Sequence, residues 1–446
     1  MAKDPQVHLT LEEAVMTALS KNLSLQIKKT EKEIARQELG VSRSFFLPQA
    51  DFRLRSSYIN TIDTFTPISI QVLNPDGTVS TVTAENVPPK YETDISFVAR
   101  QNLFKGFGDY GNYRMNRSRY QATEYDQKAM EQDVIYRVMK SYWGLQLFQD
   151  QLQSELLKNS TRRQSYNISK VKWLWGSLSK MNYEENEAQS YENARLLEMA
   201  KNQYESSKAI FFNLLGTRDM AKTDIVLVSD PIEALKKFKW EDDGSAVTSI
   251  QSDNNEIKKL EKEVEASKYK KIAAKSDLYP SLDVSFQHDF VGRSQKDFNG
   301  SFDDLKRDRW MVIGTVQLKL LDGFKTWHEV KKADAEYRLS QLRLEEARNA
   351  DVQEFETKRP ELRQMDAEID LAGKRLEIES MRNQANEINY QQGDISKNEF
   401  ERASFSRLEA KYEYRKKVIN KLLRILELNK IKGKSLLEGI HDNSIK

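Results

Sequence analysis

The chain has 446 residues, of which 39% are hydrophobic and 31% charged, a balance that excludes thick globular cores and suits long helices with one narrow apolar seam. Its 70 Lys plus Arg nearly cancel its 68 Asp plus Glu, so there is no basic excess to attract nucleic acid. Cysteine is absent, which removes disulfides, thiolate metal sites, a cysteine nucleophile and N-terminal lipid attachment on cysteine.

In chain order, Met1 to Gln6 carry no apolar run of signal-peptide type, and a mature form with its signal peptide absent from this chain is the expectation. The first predicted element is a helix over about 10–47, with Thr10 as N-cap, Glu13 at capping-box spacing, and Leu11, Ala14, Val15, Ala18 and Leu19 on one face. Pro48 ends it. The period then changes to two: Phe52, Leu54 and Tyr58 alternate with Asp51, Arg53, Arg55 and Ser57, and further on Ile95, Phe97 and Ala99 alternate with Asp94, Ser96 and Arg100. A helix over about 109–172 follows, with Ala122, Tyr125, Val134, Val138, Leu145 and Leu152 at threes and fours. At roughly 65 residues it is about 100 Å long, far beyond the ordinary globular helix.

The second half repeats this order. Asn22 and Pro48 recur as Asn254 and Pro280 at an offset of 232, while Gly106, Gly176 and Gly216 recur as Gly323, Gly393 and Gly433 at an offset of 217. The 15 residues lost between the two offsets fall between the paired strands, so a loop of unequal length is expected there. Leu282, Val284, Phe286 and Phe290 alternate with Asp283, Ser285, Gln287 and Asp289, and Trp310, Val312, Val316 and Leu318 with Thr315, Gln317 and Lys319. The domain reading is a first repeat over 8–216 with a strand hairpin at about 49–104 and a helical tip near 176. A linker over 217–252 leads to a second repeat over 253–433, with its hairpin at about 281–321 and tip near 393, and then a tail over 434–446.

No stretch reaches the ~20 apolar residues of a spanning helix, so a membrane reading rests on the strands, each of which has the roughly 10 residues a tilted barrel strand needs. Two hairpins leave open edges that lipid does not tolerate, so closure requires further copies of the chain. Tyr58, Tyr91, Phe290 and Trp310 stand toward the loop ends, as an aromatic girdle would, and Arg53, Arg55 and Asp283 suit a wet lumen.

The segments Leu9-Thr10-Leu11-Glu12-Glu13-Ala14, Leu47-Pro48, Leu103-Phe104-Lys105-Gly106, Tyr142-Trp143, Leu214-Leu215-Gly216, Leu278-Tyr279-Pro280 and Leu321-Asp322-Gly323 resemble landmarks of the TolC family of outer-membrane efflux proteins, and they cover nearly the whole chain. The resemblance implies a mainly α fold with a membrane β-barrel. It implies a homotrimer with a 12-stranded β-barrel on a 12-helix α-barrel, an equatorial belt packed by the linker, and docking to an inner-membrane transporter through a periplasmic adaptor, or membrane fusion protein. Outer-membrane lipid is the remaining partner, and the exported cargo belongs to multidrug efflux or type I secretion.

By the same resemblance Tyr390 matches the family's gate tyrosine and Glu399 an acidic gate position, with Asp394 adding charge nearby. Ile395 stands where a basic gate residue is expected, and Asn182 occupies the matching acidic position of the first half. Trp173, Trp175, Gly176, Ser177, Leu178, Ser179 and Lys180, with Gly393, Ile395, Ser396 and Lys397, are the candidates for adaptor docking. Glycine there supplies the left-handed backbone of a tight turn. Pro360 should break or kink the second long helix, and its repeat mate Trp143, beside Gly144, is expected to weaken the first at the same level.

Nothing points to catalysis, a metal or a cofactor. His8, His288, His328 and His441 are scattered, the glycines Gly106, Gly108 and Gly111 lack a nucleotide-loop fingerprint, and the carboxylates interleave with Lys and Arg as on a solvated face. The alternative to a channel is a soluble coiled-coil scaffold or adaptor protein.

Overall fold

The computed structural model describes residues 7–60, 68–84, 89–217, 225–238, 240, 250 and 252–437. Residues 1–6, half of the linker over 217–252, and the tail from 438 onward with His441 lie outside the described residues. In chain order, β1 (Val7–Leu9), α1 (Leu11–Lys21), α2 (Leu23–Ser44), β2 (Gln49–Tyr58), β3 (Ile68–Leu73), β4 (Val79–Ala84) and β5 (Tyr91–Lys105) precede α3 (Gly108–Leu174). There follow α4 (Lys180–Leu215), β6 (Ile225–Leu227), α5 (Pro231–Lys237), α6 (Asn255–Ala274), β7 (Ser281–Ser294), α7 (Phe298–Asp303), β8 (Arg307–Gln317), α8 (Lys325–Lys358), α9 (Glu361–Gln392) and α10 (Lys397–Ile431). The chain forms two compact units, one from Met1–Ala35, Arg119–Val264 and Leu339–Lys446, the other from Arg36–Ser118 and Glu265–Arg338.

The first unit is helical around one apolar core. Tyr142, Trp143, Phe211, Phe355, Leu422 and Leu426 are fully or almost fully buried in it. The Tyr142 hydroxyl donates to the Leu9 carbonyl at 2.9 Å and accepts from the Ser229 N–H at 3.1 Å, which satisfies a buried phenol while tying down the parallel pair β1–β6. Helix α3 runs antiparallel to α10, and ion pairs Asp150–Arg415 at 2.6 Å, Lys158–Glu409 at 2.7 Å and Asp133–Lys430 at 2.7 Å fix the register along a thin seam.

Thr10 caps α1 in a reciprocal box with Glu13, as its sequence spacing requires. The single opening helix expected over 10–47 is instead two. Asn22 leaves the helical region with ψ 124°, its side-chain oxygen accepts from the Leu25 N–H, and its amide donates to the Leu214 carbonyl at 2.7 Å. The gain of capping α2 and satisfying a helix-terminal carbonyl outweighs the intrahelical bonds lost. The second repeat does the same with Asn254, whose oxygen caps α6 through the Glu256 N–H at 2.8 Å and whose amide reaches the Ile431 carbonyl at 3.2 Å.

Left-handed glycines recur in pairs at the same offset of 217: Gly106 with Gly323, Gly176 with Gly393, Gly216 with Gly433. The repeats part company at Pro360. There α8 stops at Lys358 and α9 begins at Glu361, because proline has no N–H to continue the ladder. Its mate Trp143 lies inside an uninterrupted 67-residue α3, so the expected weakening occurs in one half only. Trp143 is fully buried there, and the helix continues through Gly144 without a break.

Asp351 on α8 accepts from the same Asn254 amide at 2.8 Å. Burial, and then the charges of Glu256 and Glu354, push its carboxyl from 3.8 to about 6. A folded-state value raised above the unfolded one favours folding at low pH, and that contribution is lost as pH rises through about 6. Asp351→Asn, which keeps an acceptor for Asn254, should therefore raise the thermal midpoint at pH 7.5 and lose that advantage as pH falls below 6. Melting curves across pH 5 to 8 measure it, and an equal gap at all pH values would refute the linkage.

The second unit is built on a four-stranded antiparallel sheet in the order β2-β5-β7-β8. Its strands have 10, 15, 14 and 11 residues. The register puts Phe52, Phe97, His288 and Trp310 in one row, and Arg53, Ser96, Asp289 and Arg309 in the next row on the opposite face. Arg309 donates to Asp289 at 3.0 Å across the polar face. Both connections carry structure where only loops are expected. The first holds the hairpin β3–β4, closed by Asn74-Pro75-Asp76-Gly77 with the Asn74 N–H donating to the Thr78 carbonyl at 2.8 Å, and it accounts for the unequal loop lengths. The second holds α7.

Candidate functional site

The candidate site is the pair of helical turns at Gly176 and Gly393. Each is a Schellman turn, because a left-handed glycine lets two N–H groups fold back on orphan carbonyls. Gly176, at φ 72°, donates to Trp173 and Ser177 donates to Lys172, both at 2.9 Å. Gly393, at φ 84°, donates to Tyr390 at 3.1 Å and Asp394 donates to Asn389 at 2.8 Å. Three residues beyond each glycine, Ser179 caps α4 through the Asn182 N–H, and Ser396 caps α10 through the Glu399 N–H.

The two turns differ at the third helical residue. Glu399 completes a capping box, accepting from the Ser396 N–H at 2.9 Å and its hydroxyl at 3.0 Å, and those bonds hold its carboxyl below the usual range. Asn182 has no carboxylate to return. Beneath each glycine Leu178 or Ile395 is half-buried, while Ser177, Asp394 and Lys180 are exposed. Lys180 faces Glu184 and Lys397 faces Glu401, each at 3.6 Å, and Lys397 also reaches the Gln164 side chain at 3.1 Å.

The aromatic residues act in pairs. Trp173 stacks on Tyr183 with centroids 4.8 Å apart, and Tyr390 stacks on Phe400 at 5.3 Å and an interplanar angle of 7°. Trp173 and Tyr390 are repeat mates, as are Tyr183 and Phe400, so one clasp closes both turns. Trp173 and Tyr390 are left 37% and 40% exposed, whereas Trp175 is 85% exposed. Of the two tryptophans, Trp175 alone is available as a free anchor.

The partners Tyr183 and Phe400 are absent from the sequence expectation, although the offset of 217 aligns them. Also missed are polar links beyond the aromatic pairs, further from each glycine. The Tyr166 hydroxyl donates to Glu187 at 2.9 Å in the first hairpin, and at the equivalent positions of the second Ser404 donates to the buried Asn383 at 2.8 Å. Among the described residues no group of three or more His, Asp or Glu is placed to hold a metal, and no helix is long and apolar enough to cross a membrane.

The sequence expectation of a gate at Tyr390 and Glu399 has a direct test. Tyr390→Phe keeps the stack on Phe400, and Glu399→Gln keeps a capping box, so together they remove one hydroxyl and one charge while preserving the turn. Single-channel conductance should rise in the double variant. Unchanged conductance would leave both residues as turn-formers only.

The fold matches the Campylobacter jejuni CmeC outer membrane channel with a TM-score of 0.75, at 16% identity over 98% of this chain and 87% of that one. It matches the open state of the Neisseria gonorrhoeae MtrE outer membrane channel with a TM-score of 0.68, at 15% identity over 96% and 89%. The Vibrio cholerae outer membrane protein VceC matches at 0.66, with 13% identity over 95% and 96%. No curated protein matches the chain by sequence. Residues 246–417 match the family model of outer membrane efflux proteins, and the chain shares the fold of these outer membrane channels.

Proposed function

We propose that the chain is one subunit of a homotrimeric outer-membrane efflux channel in a bacterium, passing substrates from a periplasmic adaptor and inner-membrane transporter to the exterior without chemistry of its own. One observation carries the reading. The sheet exposes an apolar face, including Phe52, Phe97, Trp310 and Val316, and within the described chain its outer strands β2 and β8 pair with nothing on their far sides. Such a sheet needs both lipid and further strands, and three copies meeting β8 to β2 supply a closed barrel of 12.

Exposed apolar seams on the helices support assembly: Leu23, Ile27, Ile34 and Val41 on α2, and Leu371, Ile378, Met381 and Ile388 on α9, recur at coiled-coil intervals. The 67-residue α3 has the length for a periplasmic extension. In this reading Tyr390, Asp394, Glu399 and Asn182 line the periplasmic gate, and the tips around Trp175, Ser177 and Lys397 meet the adaptor. Mass measurement and electron microscopy of the detergent-extracted particle test it. Tubes of three chains are expected, and a stable water-soluble monomer would overturn it.

A further inference from the structure

We infer that the β7–β8 connection is strapped onto the membrane-facing side of the sheet and sets Phe298 and Phe302 against the lipid of the outer leaflet, an inference that rests on the channel reading above. The side of the sheet is fixed by register. Ser56, Thr93 and Gly292 form one row, on the same face as the Phe52–Phe97 row and not on the polar face of Arg309 and Asp289.

That row is a notch of small residues, and α7 seats in it. Ser301 and Thr93 are both fully buried, with their hydroxyl oxygens 2.7 Å apart. Ser301 donates to the Phe298 carbonyl, so the chain of hydroxyls runs from Ser56 to Thr93 to Ser301. Gly292 is required for the approach, because a Cβ there would collide with the Ser301 carbonyl oxygen and press on the Leu305 backbone nitrogen. Asp304 accepts from the Arg293 N–H at 3.1 Å and pins the return strand.

The strap is two-sided. Phe298 and Phe302, one turn apart and each 41% exposed, share a side of α7, and Phe298 packs edge-on against Tyr91 at 4.9 Å, continuing the pair Tyr91–Tyr58. Asn299 and Asp303, exposed and polar, fall opposite the seated Ser301. An apolar flank continuous with Tyr91 and Tyr58 at the rim of a lipid-facing wall, beside polar residues that meet the headgroups, is the pattern of a segment lying in the membrane boundary. A loop that instead covered the channel mouth would seat against the polar face.

The cysteine-free chain allows single nitroxide labels in the liposome-reconstituted trimer. Labels at Phe302→Cys and Phe298→Cys are compared with one at Phe97→Cys on the wall and one at Asp76→Cys in the β3–β4 turn. Oxygen, which concentrates in lipid, and a nickel chelate, which stays in water, are the two collision probes. The expected result is a nickel collision rate at Phe302→Cys at least about fivefold below that at Asp76→Cys, with high oxygen accessibility. High nickel accessibility at both strap positions with a lipid-buried Phe97→Cys overturns the strap alone, as does shielding from both probes. Water exposure at Phe97→Cys would instead sink the channel reading itself.

Discussion

Phe97→Arg should abolish membrane assembly. Phe97 stands in the middle of the exposed face, its ring 5.0 Å from Phe52 and its backbone in register with His288. In the channel reading it faces acyl chains near mid-bilayer, where arginine on a barrel's lipid face costs about 2–4 kcal/mol, and the trimer suffers that cost three times. Met311→Arg is the control. Met311 belongs to the row next to Trp310 on the other face, so it places the same charge at similar depth toward the lumen. Heat-modifiable trimer in the outer-membrane fraction should fall at least about tenfold for Phe97→Arg and stay near wild type for Met311→Arg. A soluble sheet predicts the opposite order, because an arginine on an exposed apolar face in water improves solubility. Equal yields for the two variants would remove the assignment of faces.

The strand faces are open to such a test because period-two alternation states them directly, and the pairing of β2 with β5 and β7 with β8 follows from chain order. What alternation does not state is the content of the connections. Ile70 and Val72 alternate on one side of Asn74-Pro75-Asp76-Gly77, a turn signature in plain view, yet the length difference between the repeats reads equally well as an unstructured loop. The seat of α7 is less legible still, since it depends on Gly292 and Thr93 being neighbours across two strands.

The candidate site was half legible for a similar reason. Gly176 and Gly393 announce turns by residue type, and Ser396 with Glu399 is a capping box by spacing alone. The stacking of Trp173 on Tyr183 and of Tyr390 on Phe400 crosses from one helix to the next, so it follows from the repeat and from no local pattern. Asn22 breaks the opening helix for a reason located 192 residues away, at the Leu214 carbonyl. Helical periodicity on both sides of Asn22 conceals the break.

Those same junctions carry the second large prediction. Gly216 and Gly433 both sit at φ 74°, where any other residue is strained, and both are pressed against backbone. A Cβ on Gly216 would run into the Lys21 carbonyl, and one on Gly433 into the carbonyl of Asp253 and the nitrogen of Asn254. The left-handed backbone costs about 1 kcal/mol for alanine. Moving a helix start that is itself tied down by Asn22 or Asn254 adds more, and the sum is on the order of 3–5 kcal/mol. Gly176 and Gly393 have equally positive φ but open space around the missing Cβ, so Gly393→Ala should lose only the backbone part. Thermal unfolding followed by helical circular dichroism separates the cases: Gly216→Ala and Gly433→Ala should lower the midpoint several times more than Gly393→Ala. If all three fall together, conformational strain alone governs these glycines, and the contact between helix end and helix start in each repeat is not what holds the junction.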